Sequence, residues 1–452
     1  MSEWKKVKIG DFLTEREGRY KPDDKEISKH KRLEKIDFSG TIHISDKPTK
    51  TDMIIVHPGD LVISGINVAK GAVAVYQGNE PVCATIHYSS YTFDSSKVDL
   101  DYFKYFVKSP AFIAALQKQV KGGIKTEIKP RHLLPLEISI PDLQTQQEIV
   151  KKISSQLQKT ERLSLEIESQ KNYAKLLRQN ILQNAIEGKL TEDWRKKNPV
   201  QKGNPDYDAE ALFEQIQNEK YHTDSILLTQ NQDKKKKGKS LDFPNPCDNE
   251  EKPFAIPDGW KWVHLNNIAL SGLGKTLNKS TDKGDECPYL CSINVYWEGI
   301  NLEVIKKSRF TEQEKEKYRL QKGDLLICEG GEAGRTAIWN NNIDMYYQNA
   351  LHRIRFYGNV IPELYRYILE IYKLSGIINK YLKGMGIQHL VQSSLNAICV
   401  PLPSLKEQEE IVNKVETLLA KVTTLEKQIQ DRKSLSDKLI FGIIKENLEG
   451  IG

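Results

Sequence analysis

The chain has 452 residues, too many for one ordinary hydrophobic core, so two to four domains are expected. Charged residues make up 28% and apolar residues 38%, a globular composition, and no run of about 18 apolar residues offers a membrane span. The formal net charge of +6 is mild for a nucleic-acid binder, and Met1 to Lys6 carry no secretory or lipidation signal, so a cytoplasmic location is expected.

In chain order, residues 1–142 read as a globular segment of short β-rich runs broken by glycine. Ile54-Ile55-Val56, Leu61-Val62-Ile63 and Ala72 to Tyr76 are strand candidates, Pro58-Gly59-Asp60 is a turn, and a helix is predicted from Leu100 to Val120. Residues 143–195 predict a long helix. Its Ile149, Ile153, Gln156, Thr160, Leu163, Ile167, Gln170, Ala174, Leu177 and Ile181 fall on alternating steps of four and three, a coiled-coil seam with polar breaks. Residues 196–253 hold proline, glycine, Asn, Asp and the run Lys234-Lys235-Lys236-Lys237-Gly238-Lys239, and read as a polar linker with a solvated lysine tether. A second globular segment, 254–402, has strands at Leu325 to Cys328 and Thr336 to Trp339 and a helix from Pro362 to Leu382. A second long helix occupies 403–448, with Ile411, Val415, Leu418, Val422, Leu425, Ile429, Arg432, Ser436, Leu439 and Ile443 on its seam.

The chain is thus written twice. Pro141-Asp142-Leu143-Gln144-Thr145-Gln146-Gln147-Glu148-Ile149-Val150 reappears 262 residues later, from 141 to 403, as Pro403-Ser404-Leu405-Lys406-Glu407-Gln408-Glu409-Glu410-Ile411-Val412. Lys121-Gly122 matches Lys383-Gly384 at the same spacing, and Gly59-Asp60-Leu61 answers Gly323-Asp324-Leu325. Two seams in one chain are most economically buried against each other. An intervening domain makes the pairing antiparallel, with each helix spanning roughly 65 Å. The class is mixed α/β.

Chemistry of catalysis is hard to find. Six cysteines are scattered, and only Cys287 and Cys291 are close, with no second pair to complete a zinc site; thiols in a reducing cytosol are expected. Ala269-Leu270-Ser271-Gly272-Leu273-Gly274-Lys275-Thr276 meets a relaxed phosphate-loop pattern. Its flanks read neither as a buried strand nor as a helix, so nucleotide binding is not expected, and Lys275 reads either as part of a basic loop that approaches DNA phosphate or as simply exposed.

Two globular domains alternating with two long helices, each opened by Pro-x-Leu-x-x-Gln-x-x-Ile-Val, resemble the DNA-specificity subunits of type I restriction–modification systems. Gly188-Lys189-Leu190-Thr191-Glu192-Asp193-Trp194-Arg195 and Gly330-Gly331-Glu332-Ala333-Gly334-Arg335 add to the likeness, while Ser64 to Gly71 keep the glycines loosely and put Lys70 near the place of Arg335. The resemblance implies two target-recognition domains, each reading one half of a bipartite, asymmetric site in double-stranded DNA, with the helices as a spacer. It implies two methyltransferase subunits as partners, and restriction subunits with them. No cofactor is expected on this chain: S-adenosylmethionine would sit in the methyltransferase, and ATP and magnesium in the restriction subunits. The chain would not be an enzyme. The rival reading is a coiled-coil scaffold or adaptor without specific DNA recognition.

Base reading needs side chains with paired donors and acceptors on loops or helix ends. The candidates are Asn67, Lys70, Lys121, Lys125 and Arg131 in the first domain, and Lys275, Asn294, Tyr296, Arg335, Gln388 and His389 in the second.

Overall fold

The computed structural model describes residues 4–37, 40–47, 49–67, 72–119, 127–230, 247–248, 252–278, 280, 282–384, 386 and 388–449. They fall into two units, residues 1–170 with 428–452, and residues 171–427. No helix among the described residues is long and apolar enough to cross a membrane.

In the first unit, alternating β-branched and aromatic runs form two four-stranded sheets. One runs in the order Leu13–Glu15, Tyr88–Phe93, Leu61–Ser64, Val73–Val75, all antiparallel. The other runs Ile42–Ser45, Arg32–Ile36, Val82–Thr85, Met53–Val56, with a parallel central pair. Lys5–Lys8 pairs with Glu137–Ile140 in antiparallel register, Lys5 opposite Ile140, so the domain's first strand lies beside the strand that leads into Pro141. The helix expected over Leu100 to Val120 is two, Leu100–Phe106 and Pro110–Gln119. Pro110 has no N–H to continue a helix, and Ser109 restarts one by accepting the Phe112 N–H at 3.2 Å.

The second unit repeats the plan. Ala269–Leu273, Leu351–Phe356, Asp324–Cys328 and Thr336–Trp339 form the antiparallel four-stranded sheet in the corresponding order. Lys306–Phe310, Asp285–Leu290 and Tyr346–Tyr347 form the other sheet. Its fourth strand shrinks to a single bridge between Arg319 and Tyr346. Lys261–His264 pairs with Cys399–Leu402 as the closing ribbon. The helix expected to reach Leu382 stops at Leu374, where Gly376 turns the chain with φ +78° into a short 3₁₀ turn, Ile377–Tyr381.

The repeated turn has a repeated reason. Gly59 and Gly323 adopt φ of +86° and +91°, which glycine takes without a Cβ clash. The carboxylates that follow are buried and fully engaged: Asp60 accepts from Arg16, Ser90 and the His57 N–H, and Asp324 from Arg355 and the Gln321 N–H.

Leu143–Ile186 and Leu405–Glu449 are the two long helices, of 44 and 45 residues. Their pairing is antiparallel. In the first unit Asn447 Nδ2 donates to Gln156 at 2.7 Å and Arg432 to Gln170 at 3.1 Å, while Ile149 and Ile153 share a core with Ile444 and Leu448. In the second, Ile181, Leu182 and Ala185 share a core with Ile411, Val415 and Leu419. The seam does not close over all its leucines. Leu163 and Leu439 stay exposed in the first unit, where the small Thr160 and Ser436 are the buried entries, and Leu177 and Leu425 stay exposed in the second.

The expected linker, 196–253, is a correction. It contains a 22-residue helix, Ala209–Gln230, whose Leu212 and Ile216 are buried in the core of the second domain, with Phe213 packed against it. Gln217 and Lys220 donate to the carbonyls of Asn267 and Asn266, and Glu219 accepts the Gly358 N–H at 2.8 Å. Just upstream, the Pro205 and Asp206 carbonyls accept the first N–H groups of the second long helix, from Leu405 and Lys406. The lysine run lies outside the described residues.

Candidate nucleic-acid interface

In the second domain four loops line a cleft of about 660 Å³. Strand Ala269–Leu273 leaves the sheet at Gly274, where a Cβ would lie 2.4 Å from the Gln348 carbonyl carbon. That close approach locks two loops together: Gly274 N–H donates to Leu351, Lys275 N–H to Tyr347, and Asn349 N–H to Lys275. Ala350 sits at φ +85°, a left-handed conformation that costs a non-glycine residue roughly 1–2 kcal/mol. The strain is held by Asn349 Oδ1, which accepts the Ala350 N–H at 2.7 Å, and by Glu329, whose N–H donates to the Ala350 carbonyl at 2.9 Å.

The fourth loop, 383–389, is closed by reciprocal main-chain bonds between Lys383 and His389, at 2.9 and 2.8 Å. Leu390 then fixes it twice, donating to Glu329 and accepting from His352 Nε2, each at 2.8 Å. His352 is fully buried, and burial pushes its imidazole below the ordinary value of 6.5; the bond to Leu390 and the Glu329 carboxylate offset this only in part. Since the unfolded state binds the proton more readily, His352 removes stability from the second unit as pH falls through 6.5 towards the lower folded value, and costs nothing above 6.5. Hydrogen exchange of residues 383–390 should therefore accelerate between pH 7.5 and 5.5, after correction for intrinsic rates. The underlying slope is at most about 1.4 kcal/mol per pH unit. His352→Gln, which can still donate to Leu390, should flatten the dependence; an unchanged slope would show that another group sets it.

Among the described residues, the side chains of Glu329, Gln348, Lys383, Gln388 and His389 have no hydrogen-bond partner, and Lys383, Gln388 and His389 are exposed. A cation, an imidazole, two carboxamides and a carboxylate on rigid loops can contact phosphate and the edges of bases.

The candidates read from sequence divide accordingly. His389 lines this cleft, while Gln388, its exposed neighbour, is not among the lining residues. Arg335 and Tyr296 meet elsewhere, the guanidinium 5.0 Å above the ring, with Arg335 also donating to Ser292 at 2.7 Å and Glu332 at 3.0 Å. Asn294 is buried, and its amide is spent on the main chain, accepting from Cys291 and donating to Asn301 and Val304. Lys275 faces inward as well. Its ammonium contacts Arg309 carbonyl at 2.7 Å, Glu314 at 2.8 Å and Asp282 at 3.3 Å and lies over the Phe310 ring, so it does not present charge to a phosphate. The phosphate-loop pattern around it is a strand of an antiparallel sheet followed by a loop.

In the first domain Asn67 is half-buried in the turn after Leu61–Ser64, and Arg131 is exposed on the short helix Pro130–Leu133. Gly65 joins the two regions: its N–H donates to His87, its carbonyl accepts from Ile128, and a Cβ would lie 2.6 Å from the Ile128 oxygen. His87 Nδ1 lies 2.8 Å from Glu127. Lys70, Lys121 and Lys125 lie outside the described residues. Ala72, not Lys70, is the counterpart of Arg335: Ser64 N–H donates to Ala72 as Cys328 N–H does to Arg335.

Sequence reasoning missed Glu329, Gln348 and Asn349. The available signal was the polar pair Gln348-Asn349 directly after the strand Tyr346-Tyr347. It also missed the pairing of Cys247 with Cys399, whose sulfurs are bonded to each other beside His264. His264 Nδ1 lies 3.0 Å from the Ala397 carbonyl, so the three do not form an open donor set.

A model of the type I restriction modification DNA specificity domain matches residues 1–174 and 257–432. The EcoBI specificity subunit of Escherichia coli is 23% identical over 353 residues, covering 75% of this chain and 64% of that protein. The EcoKI specificity subunit of Escherichia coli strain K12 is 24% identical over 360 residues, covering 77% and 65%. The chain thus spans just under two thirds of the length of these relatives. A solved chain from work on complex assembly and conformational transition of the type I R-M system matches with a TM-score of 0.62 at 14% identity, over 99% of this chain and 98% of that one, a likeness of fold.

Proposed function

The chain belongs to the type I restriction modification DNA specificity family, and on that premise we propose that it selects the DNA sequence on which partner subunits act. Each globular domain reads one half of a bipartite, asymmetric site. The helix pair carries two methyltransferase subunits, and restriction subunits join them; the chemistry, with S-adenosylmethionine, ATP and magnesium, belongs to those partners. The assembly works in the cytoplasm. The observation that carries this reading is the duplication itself: one sheet plan occurs twice, each copy closed by a ribbon that feeds Pro-x-Leu-x-x-Gln into a long helix, and the family match covers both copies.

The test is co-expression with the methyltransferase subunits of the same source, followed by methylome sequencing with and without this chain. N6-methyladenine at a single split motif only when the chain is present is the expected result, and deletion of either domain should abolish it. Co-purification with no motif, or a full motif after one domain is deleted, would overturn the reading. Specific binding should also weaken steeply with salt, because each neutralised phosphate releases counterions, whereas a protein-only adaptor would show no such DNA affinity.

A further inference from the structure

Main-chain hydrogen bonds within each domain match the first domain, position by position, to the loops that line the second domain's cleft, independently of their side chains. Gly65 N–H to His87 and Glu329 N–H to Ala350 are counterparts, at 2.8 and 2.9 Å. So are Ile128 N–H to Gly65 and Leu390 N–H to Glu329, both at 2.8 Å. The sheet registers agree: Leu61 opposes Tyr91 as Leu325 opposes Ile354. Counting back along those strands, Gln348 stands where the first domain has Thr85. Likewise Glu329 replaces Gly65, Ala350 replaces His87, and His389 replaces Glu127.

The chemistry changes at each of these positions, while residues that hold the backbone recur: Asp60 with Asp324, and Gln146 with Gln408. Gln348 is the most informative of the variable set. Its main chain is fixed, the N–H donating to Leu290 and the carbonyl accepting from Leu351, both at 3.1 Å. Its side chain lines the cleft, half-buried, with no hydrogen-bond partner among the described residues. A carboxamide on a rigid loop holds one donor and one acceptor side by side, the pattern that meets N6–H and N7 of adenine in the major groove.

We propose that Gln348 is the principal base-reading side chain of the second domain, taking an adenine edge, and that Thr85 holds the same post in the first domain. This rests on the reading of the domains as DNA readers. The two domains then read different half-sites because one framework carries different side chains at equivalent cleft positions.

The test uses the full chain assembled with its methyltransferase subunits, in wild-type, Gln348→Ala and Thr85→Ala forms, read by methylome sequencing and by competition binding to a library of single-base site variants. Q348A should leave one half of the motif intact and relax a single A·T position in the other, with discrimination there falling roughly ten- to hundredfold. T85A should relax one position of the opposite half. Should Q348A fail to assemble, the near-isosteric Gln348→Glu keeps the question open to measurement and should shift preference at that position from adenine towards cytosine, whose amine a carboxylate accepts. An unchanged motif in Q348A, or an equal loss of affinity across all positions, overturns the proposal while leaving the specificity function standing. A wild-type assembly that marks no split motif fails the function itself.

Discussion

Glu407→Leu is expected to destabilise the second unit by about 3–5 kcal/mol, the effect of leaving a buried partner charge uncompensated. Glu407 is almost fully buried at the start of the second long helix. One carboxylate oxygen accepts from Thr191 at 2.7 Å and from Arg195 at 2.5 Å, and the other from the Trp260 indole at 2.7 Å. Three stretches distant in sequence therefore converge on one side chain: the tail after the first long helix, the start of the second domain, and the first turn of the second helix. Leucine fills the space but leaves a mostly buried guanidinium without its counter-charge, held only by the Thr191 hydroxyl at 2.9 Å, and an indole N–H without its acceptor. Hydrogen exchange of residues 188–198 and 258–264 reads the loss locally, which avoids assuming that a two-unit chain unfolds in one step. Arg195→Leu combined with Glu407→Leu should recover much of the loss, since an apolar pair can replace a buried ion pair at little net cost. A single-mutant loss below about 1 kcal/mol would show that water already solvates the cluster.

This cluster also explains why the tail motif could be recognised before its purpose could. Gly188 ends the first helix at φ +70°, and a Cβ there would lie 2.5 Å from Pro257. Thr191 and Arg195, one helical turn apart, then reach the same carboxylate. Such backbone and capping requirements leave marks in a sequence because few residue types satisfy them; glycine at a positive φ and a Pro-x-Leu-x-x-Gln start are legible for that reason. The helix Ala209–Gln230 was less legible. Its apolar stripe is short, Ala209, Leu212, Phe213 and Ile216, and it stands beside a proline- and lysine-rich stretch that reads as linker.

Side-chain roles were hardest to read, because each depends on partners far along the chain. Lys275 looks like an exposed basic loop residue until Asp282, Arg309 and Glu314 fold around it. Asn294 looks like a base reader until its amide is found bracing its own loop. The cleft that displays Gln348 is assembled from four loops spread between residues 276 and 391, and no local pattern announces it. The repeat could have served as a guide, since positions that differ between copies within a shared frame are where two readers of different sites must diverge.

The frame itself predicts a matched pair of effects. Gln146 and Gln408 are buried in the first turn of their helices and make the same two bonds: Nε2 donates back to Pro141 or Pro403, and Oε1 accepts the N–H of Asp99 or Ile361, the residue that precedes a domain helix. Each glutamine thus ties the entry of its long helix to the domain it serves. Gln146→Leu and Gln408→Leu each strand a half-buried N–H and a buried carbonyl, and each should cost its own unit about 1–3 kcal/mol. Because the sites lie in different units and share no partner, the double mutant should show the sum of the two losses within about 0.5 kcal/mol. Hydrogen exchange should rise around residues 97–106 and 141–150 for the first change, and around 359–368 and 403–412 for the second. Cross-talk between the two sets would mean that the helix entries are not independent supports. Independent supports are what a duplicated reader requires, because one domain can then change its cleft without loosening the other.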